Sequence, residues 1–421
     1  MTVAVFLVFF LLLLLAVPVS YALIIAGGVA VIFSQGLIPP PVIAQQVYGQ
    51  TQSEVLLAIP FFILAGEILI AGGLGERLIQ FASRLVGRFT GGLSQVTVMA
   101  SMVFSGVSGS AVADASAVGS VCIPWQKRQN YPAPFTAAVN ASTSTLGVVI
   151  PPSIPMIIYA TVSGASIGAL FLSGLVPGAI LIAALMVTCW WVAKKNGYPK
   201  SEQPFEWRAL GREFLATIPA LAMPVLILVC IIGGITTVTE VSVIAVFYAL
   251  AVSLFLYRDL TLAKLWRSLV RAGLMTGTIL LIIMASSLVA YVLTVQEVPA
   301  RLTESFFSVT TSTILVILFM NVVMLIVGCF IDMPPAILIL TPVFIPLAEA
   351  IGMDLVQLGI MMTINLGIGL FTPPVGTVLF VSSSIAGVKI EETAKALIPF
   401  YLIALAVLLL ISFIPALTIA S

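Results

Sequence analysis

The sequence has no histidine and very little charge. Of its 421 residues 8% are charged, and the formal net charge is +1. Without histidine there is no histidine-based general acid–base catalysis, no serine–histidine triad and no zinc site of the usual kind. A GK[ST] sequence is also absent, which excludes nucleotide hydrolysis at a P-loop, and no basic block indicates nucleic-acid binding. These absences argue against an enzyme.

Long apolar runs are abundant instead. Hydrophobic residues make up 61% of the chain and the mean hydropathy is +1.23, whereas about a quarter of the residues in soluble domains are charged. The runs are continuous and do not alternate, which excludes a β-barrel. The predicted fold class is therefore an all-α polytopic membrane protein. Its cysteines have no metal-ligand spacing: Cys122, Cys189, Cys230 and Cys329.

Lysine and arginine are concentrated in a few polar segments, and this distribution predicts the orientation. The cation-rich segments are predicted to be cytoplasmic and the cation-free segment 34–54 external. The first apolar run, residues 3–33, reads as a retained span that Pro18 kinks. The N-terminus is then cytoplasmic and the C-terminus external. The cytoplasmic cations are Arg77, Arg84, Arg88, Lys127, Arg128, Lys194, Lys195, Lys200, Arg208, Arg212, Arg258, Lys264, Arg267 and Arg271.

This charge map divides the chain into four parts. Residues 1–54 contain the first span and an external loop, and residues 55–197 form a first repeat. Residues 198–271 contain a cytoplasmic loop, a linking helix pair and a basic interfacial helix over 258–271. Residues 272–421 form a second repeat.

Each repeat contains an apolar run that must begin and end on the same side of the membrane. Run 91–126 is flanked by cytoplasmic cations, and run 309–350 lies between external segments. Each is predicted to be a re-entrant hairpin. An amphipathic, basic segment over 74–90 precedes the first hairpin and is predicted to lie along the cytoplasmic interface.

The two repeats align without gaps when residues 106–177 are shifted by 222 positions. Four of the seven prolines in each window coincide, and LGVVIPP falls on IGLFTPP. Because proline breaks helices, each of these sequences predicts an interrupted span. Inverted repeats with paired broken helices are typical of secondary transporters, where unwound backbone lines an ion and substrate cavity. The alternative interpretation is that both breaks are structural kinks.

Polar groups inside the apolar runs are the candidate functional residues. Asp114 and Asp332 lie at or near the hairpin tips, and Glu67 lies within a span. Glu67 could carry a proton or pair with a cation on another helix. With the two aspartates, several residues offer hard oxygen ligands for Na⁺ or a proton: Ser108, Ser110, Asn140, Ser142, Thr143, Asn365 and Thr372.

Four motifs in order resemble the large membrane subunit of the TRAP (tripartite ATP-independent periplasmic) transporters. They are FSGVSGSAVADASAVG, IPPSIPMIIYATVSGASIGALFLSGLVPG, CFIDMPPAILILTPVFIP and IGLFTPPVGTVLFV. The resemblance implies Na⁺-coupled symport of an organic acid anion, such as a C4-dicarboxylate, a sialic or other sugar acid or a keto acid, across the bacterial inner membrane. It also implies an elevator mechanism, a periplasmic substrate-binding protein and a small four-helix membrane subunit.

The resemblance also implies where ion and substrate bind. The Na⁺ ligands are expected among Ser108, Ser110, Asp114, Gly147, Asp332, Asn365, Gly369 and Thr372. The substrate is expected at half-helix N-termini and hydroxyl groups, namely Ser108, Ser142, Thr143, Ser153 and Thr377. No buried arginine is expected for the carboxylate, since Arg77 and Arg301 follow their spans as interfacial residues.

Two other functions remain open from the sequence. One is a stand-alone, ion-coupled organic-anion carrier of the two-hairpin type that needs no binding protein. The other is an intramembrane enzyme or a passive scaffold, which the missing histidine and the paired breaks argue against.

Overall fold

The computed structural model describes residues 2–15, 17–33, 39–199 and 207–418, and in these ranges all regular structure is helical. We number the α-helices of these ranges in chain order. Helices α1 to α5 are Thr2–Leu14, Val19–Phe33, Pro40–Gln50, Ala58–Ala71 and Leu74–Val86. Helices α6 to α10 are Gly92–Ser108, Ala111–Arg128, Ala133–Thr143, Leu146–Val149 and Ile154–Ser163. Helices α11 to α15 are Ile167–Asn196, Trp207–Ile232, Val238–Ala251, Leu262–Val295 and Val298–Val309. Helices α16 to α20 are Thr313–Phe330, Met333–Ala350, Leu355–Gly369, Thr377–Ala386 and Ile390–Phe413.

The helices confirm the predicted class of an all-α, polytopic membrane protein. Within the described ranges, 8 helices are long and apolar enough to cross a bilayer. Residues 133–149 and 154–163 form a further crossing that is bent by 44° at its break. Helices α6 and α7 form hairpin 1, and α16 and α17 form hairpin 2.

The internal repeat is visible in the helix boundaries. Shifted by 222, α7 falls on residues 333–350, which are the bounds of α17. The same shift carries α6 onto α16, and it carries the break after α9 onto the break between α18 and α19. Both Pro-Pro bonds in these breaks are cis. The prolines thus interrupt the two helices at matched positions, as the sequence predicts.

The two hairpins enter the fold from opposite ends. Helix α8 begins beside the base of hairpin 1, and the helix that continues it, α10, ends beside the base of hairpin 2. There the Tyr159 hydroxyl donates to the Leu355 carbonyl at 2.6 Å. In the second repeat, α18 begins beside the base of hairpin 2 and α19 ends beside the base of hairpin 1, where Lys127 Nζ donates to the Ala386 carbonyl at 2.7 Å. Each broken helix therefore crosses from one hairpin base to the other, so the repeats are inverted.

The helices pack as two groups. The frame group consists of α1–α4 and α12–α14, in which α14 packs on α2, α3 and α4, and α13 packs on α4. The hairpin group consists of α6–α11 and α16–α20, in which α10 packs on α17 and α19 packs on α7. Helices α5 and α15 lie against α6 and α17 respectively. The two groups meet where α14 packs on α17, where α4 and α12 pack on α6, and where α12 packs on α11.

Two sequence predictions about the frame group are wrong. Residues 3–33 do not form one kinked span, because α1 and α2 are separate helices that pack on each other, with Pro18 between them. Proline lacks the N–H that would continue the helix. Residues 258–271 do not form a separate interfacial helix either, since 262–271 are the start of α14. At 34 residues, α14 is about 51 Å long and extends beyond a hydrocarbon core of about 30 Å.

The predicted loops are only partly described. Of the segment 34–54, residues 34–38 lie outside the described residues, and Pro40–Gln50 form α3 against α14. Of the cytoplasmic loop that was predicted from residue 198 onward, residues 200–206, including Lys200, lie outside the described residues.

Candidate functional site

The tips of the two hairpins meet at one cavity of about 370 Å³. Five elements surround it: both tips, both helix breaks and the middle of α14. The hairpins enter from opposite ends and meet at this cavity, which is open on the α14 side, where the lining residue Leu274 is 68% exposed. Its lining residues are Gly109, Ser110, Ala111, Val112, Val148, Ile154, Pro155, Leu274, Met275, Thr278, Ile279, Ile282, Asp332, Met333, Pro334 and Leu370.

The tip of hairpin 1 is a close-packed turn against the first break. Gly109 has φ +61°, and a Cβ there would lie 2.7 Å from the Pro152 carbonyl oxygen. A Cβ on Gly147 would lie 3.2 Å from the Ser110 carbonyl oxygen. Only glycine fits a left-handed turn this close to another backbone segment. The glycines of SGVSGS therefore let the tip approach the unwound backbone of the break.

The tip of hairpin 2 makes the same approach with different chemistry. Asp332 caps α17 by accepting a hydrogen bond from the Met333 N–H at 3.0 Å, in the position that Ser110 occupies on α7. A Cβ on Gly369 would lie 2.5 Å from the Gly328 carbonyl carbon. The Val375 N–H donates to the Cys329 carbonyl at 3.2 Å. Here, too, glycine allows the hairpin and the broken helix to touch.

The cavity presents partial charges of both signs. Helices α7, α10 and α17 begin at its wall, and the N–H groups of a helix N-terminus attract anions. At the breaks the Val148 carbonyl accepts from the Ser153 hydroxyl, and the Leu370 carbonyl accepts from the Val378 N–H at 3.0 Å. Carbonyl oxygens at such helix breaks are the groups that coordinate cations in transporters. Among the lining residues Asp332 is the one ionisable side chain. This arrangement can hold an anion and a hard cation side by side.

Asp114 lies near the tip of hairpin 1, as predicted, but it is not among the described residues that line the cavity. Asp114 is fully buried one turn into α7, and its Oδ2 accepts from the Ser105 hydroxyl at 3.1 Å. Its Oδ1 has no hydrogen-bond partner in the described part of the chain. Ser108 does lie at the tip, where its hydroxyl contacts the Ser110 backbone.

The remaining polar candidates are engaged in packing. Ser142 donates to carbonyls of its own helix, and Thr143 accepts from Ser101 at 3.2 Å. Asn365 donates to Asn321 Oδ1 at 2.8 Å, between α18 and α16. None of these three lines the cavity among the described residues.

The candidates next to the breaks remain close to the site. Ser153 caps α10 beside the lining residue Ile154, and Thr377 is the first residue of α19. Thr372 donates to the Ile368 carbonyl at 2.7 Å, within the second break. Their roles as ligands stay predictions.

Sequence reasoning missed the wall that α14 contributes. Leu274, Met275, Ile279 and Ile282 are apolar and carry no chemical signal. It also missed the partner of Glu67, which is Arg271 at 3.9 Å. Of the two alternatives for Glu67, the structure favours an ion pair between helices. Glu67 is on α4 and Arg271 is on α14, and these two helices pack on each other.

Comparison with known proteins decides the family. Residues 6–417 match the family described as tripartite ATP-independent periplasmic transporter, DctM component. The chain belongs to this family. The predicted resemblance to the TRAP large permease is therefore confirmed, and the family is one of transporters.

Several curated relatives share almost the whole chain. An uncharacterized protein of Sinorhizobium fredii, y4mL, is 50% identical over 99% of this chain and 100% of its own length. The 2,3-diketo-L-gulonate TRAP transporter large permease protein YiaN of Escherichia coli is 38% identical, covering 96% and 95%. The C4-dicarboxylate TRAP transporter large permease protein DctM of Pseudomonas aeruginosa is 38% identical, covering 90% and 88%.

A solved structure shares the fold. The YdaH transporter of Alcanivorax borkumensis, whose crystal structure has an unusual topology, superposes with a TM-score of 0.63 over 89% of each chain at 12% identity. At this identity the likeness concerns the fold alone.

Proposed function

We propose that this chain is the permease subunit for Na⁺-coupled uptake of a small organic acid anion across the bacterial inner membrane. The observation that carries the proposal is the single cavity at which both hairpin tips and both helix breaks meet. Inverted repeats with broken helices around a central cavity are the architecture of ion-coupled secondary transport. Membership in the TRAP large permease family gives independent support.

The proposed ion ligands fit Na⁺ by their chemistry. Hard cations take oxygen ligands from carboxylates, hydroxyls and carbonyls. At tip 1, Ser108 and Ser110 lie against the break at Gly147. At tip 2, Asp332 lies at the cavity near the break that contains Thr372. The oxygen atoms of each tip and its break would hold one ion, which then draws the anion into the same cavity.

The proposed substrate is an anion because helix N-termini converge on the cavity. The start of α7, α10 and α17 each present N–H groups there. The relatives' names include a C4-dicarboxylate and 2,3-diketo-L-gulonate, both organic acids. A cavity of about 370 Å³ accommodates a molecule of this size.

The proposed movement is an elevator. The hairpin group carries both tips and both breaks, whereas α14 of the frame group supplies the rest of the cavity wall. Sliding the hairpin group along α14 would expose the cavity to one side of the membrane and then the other. Helices α5 and α15 connect the groups and would act as the arms of this movement.

The proposed partners are a small four-helix membrane subunit and a periplasmic substrate-binding protein, as the words tripartite and periplasmic in the family description support. In the frame group, α12 and α13 expose large apolar side chains that lipid or the small subunit would cover. They include Val225, Val229 and Phe247. The proposed orientation keeps the N-terminus cytoplasmic and the C-terminus periplasmic.

Reconstitution tests the proposal. Proteoliposomes containing the chain and its small subunit are supplied with radiolabelled succinate, sialic acid or 2,3-diketo-L-gulonate, with the binding protein and an inward Na⁺ gradient. We expect uptake of at least one acid that requires both the gradient and the binding protein. Uptake that persists after K⁺ replaces Na⁺ would remove the Na⁺ coupling.

The second candidate is the stand-alone carrier of the two-hairpin type, which would use the same cavity between both hairpin tips and both helix breaks. Omitting the binding protein separates the two. Full uptake by the chain alone would support the stand-alone carrier, and loss of uptake would support the tripartite system.

A further inference from the structure

The Glu67–Arg271 pair lies beside the cavity. Arg271 is on α14, just before the residues of that helix that line the cavity. Met275 lines the main cavity and also a small crevice that Glu67, Ser108 and Ala113 line with it. Arg271 is one helical turn before Met275, and residues four apart share a helix face. Its Nη1 lies 3.9 Å from Glu67 Oε2. The pair is therefore connected to the cavity through Met275 and the tip of hairpin 1.

The two members of the pair differ in burial. The Glu67 side chain is 13% exposed, whereas the Arg271 side chain is 70% exposed. The Ser268 hydroxyl donates to the Glu67 backbone carbonyl at 3.2 Å, which fixes α4 against α14 at this level. Glu67 is thus the buried member of the pair, and Arg271 is the solvent-exposed member.

The arginine has donors to spare. A guanidinium has five N–H donors and binds a carboxylate best through two parallel hydrogen bonds. At 3.9 Å the contact with Glu67 is an ion pair without a hydrogen bond. Glu67 is the one ion-pair partner of Arg271 in the described part of the chain. Long helical side chains point toward the helix N-terminus, so Arg271 extends outward from the cavity mouth.

We propose that Arg271 forms a second, shallower carboxylate site at the mouth of the cavity near the start of α14, and that Glu67 is the internal anion that the substrate carboxylate displaces there. The proposal rests on the proposed function, in which the cavity carries an organic anion. By the charge map this mouth is cytoplasmic, so the site serves substrate release. The carboxylate leaves the helix N-termini for Arg271, and Glu67 regains Arg271 when the substrate departs.

The chain offers a matched control pair. Arg212 and Glu213 on α12 form an ion pair at 3.4 Å whose side chains are 77% and 16% exposed. Both lie outside the cavity-lining residues, and both are predicted to be cytoplasmic. Substitutions in this pair change the same charges on the same side of the membrane without touching the cavity mouth.

The first test measures transport from each side. In proteoliposomes of known orientation, with radiolabelled succinate, sialic acid and 2,3-diketo-L-gulonate as probes, Arg271→Gln should raise the KM from the cytoplasmic face roughly threefold to tenfold, because an exposed charge pair is partly screened. The KM from the periplasmic face should not change. Arg271→Lys should restore most of the affinity, and Glu67→Gln should lower the cytoplasmic KM. Arg212→Gln and Glu213→Gln should change neither KM.

The second test needs no transport. Leu274→Cys places a thiol beside Arg271 at an exposed, cavity-lining position. The ratio of its labelling rates with an anionic and a cationic thiosulfonate reports the local potential. Arg271→Gln should lower this ratio roughly threefold, Glu67→Gln should raise it, and Arg212→Gln should leave it unchanged.

The outcomes separate the two proposals. If Arg271→Gln behaves like Arg212→Gln in both tests, the mouth site is overturned and the proposed function stands. An equal rise of the KM from both faces also overturns it, since the arginine would then act on the whole transport cycle. If the unsubstituted chain transports none of the three acids, the proposed function fails and the release site fails with it, whatever the labelling shows.

Discussion

Hairpin 1 and hairpin 2 reach the same cavity through the same backbone design but with different chemistry. At the N-cap of its second helix, hairpin 1 has the hydroxyl of Ser110, whereas hairpin 2 has the carboxylate of Asp332. The contact between hairpin and break is also tighter in the second repeat, where Gly369 touches Gly328, than in the first, where Gly147 approaches Ser110. The two repeats therefore share the backbone geometry of the site. Among the described cavity-lining residues, the ionisable side chain, Asp332, belongs to the second repeat.

The largest expected effect concerns this charge. Asp332→Asn removes the ionisable side chain of the cavity wall and should lower Na⁺-driven uptake roughly tenfold to a hundredfold, as expected when an interaction with a charged group is lost. Ser110→Ala, at the matched position, should lower it roughly threefold to tenfold, since a neutral ligand contributes less. Uptake at several Na⁺ concentrations measures both.

An unchanged uptake by Asp332→Asn, with normal amounts of inserted protein, would remove Asp332 from the ion site. Equal losses in the two variants would mean that the tips contribute alike despite their different charges.

The second prediction concerns the two glycine contacts. Gly369→Ala would place a Cβ 2.5 Å from backbone atoms of Gly328, and should lower the free energy of unfolding by about 2–3 kcal/mol through overpacking. Gly147→Ala, with its nearest backbone atoms at 3.2 Å, should cost about 1 kcal/mol. Thermal unfolding of the purified variants, followed by size-exclusion chromatography, gives the comparison. A Gly147→Ala variant less stable than Gly369→Ala would contradict it.

The third prediction compares the two arms. Arg77 on α5 binds Asp259 at 2.8 Å and the Gly73 carbonyl at 3.0 Å, and it stacks on Tyr257. Arg301 on α15 pairs with Glu297 at 3.8 Å on the surface. Because Arg77 is the more buried of the two, Arg77→Gln should destabilise the protein by about 1 kcal/mol.

Arg301→Gln is the matched control and should lie within about 0.5 kcal/mol of the unsubstituted chain. Thermal unfolding of the two variants measures both arms, and equal stabilities would show that α5 is not fixed more firmly than α15.

The fourth prediction concerns the orientation of the chain in the membrane. Its substitutions are expected to change transport and stability the least. In a background without Cys230 and Cys329, Gln45→Cys on α3 and Arg208→Cys on α12 introduce thiols at exposed positions. An impermeant thiol reagent should label residue 45 in intact spheroplasts and residue 208 only after permeabilisation. The reverse pattern would invert the assignment of the two hairpins to the two sides.

Much of the fold could be predicted from the sequence, because proline and glycine act locally. The Gly-Pro-Pro runs each interrupt a helix, and the shift of 222 residues relates the two breaks and the two tips within the sequence itself. The continuous helix α14 could not be predicted in this way. Its first turns are basic and resemble an interfacial helix, and whether such turns join the next span depends on packing against α2, α3 and α4.

The cavity residues at the two hairpin tips can be predicted from the sequence. The direction in which Asp114 points, one helical turn from the tip, cannot. The alignment placed Asp332 on Ser110, and both are helix caps at the cavity. Asp114 lies four residues further along α7, and its side chain faces Ser105 on α6. Sequence distance from a tip does not specify which face of the helix a residue occupies. The apolar wall of α14 gave no signal at all, since Leu and Met at these positions suit lipid equally well.

The crossing of each broken helix from its own hairpin to the base of the other has a consequence for biosynthesis. Lys127 and Tyr159 belong to the first half of the chain, but the carbonyls they contact belong to Ala386 and Leu355. During translation Tyr159 and Lys127 therefore have no access to these carbonyls until 196 and 259 further residues, respectively, have been synthesised. A truncation that ends between the halves would expose those surfaces to membrane quality control.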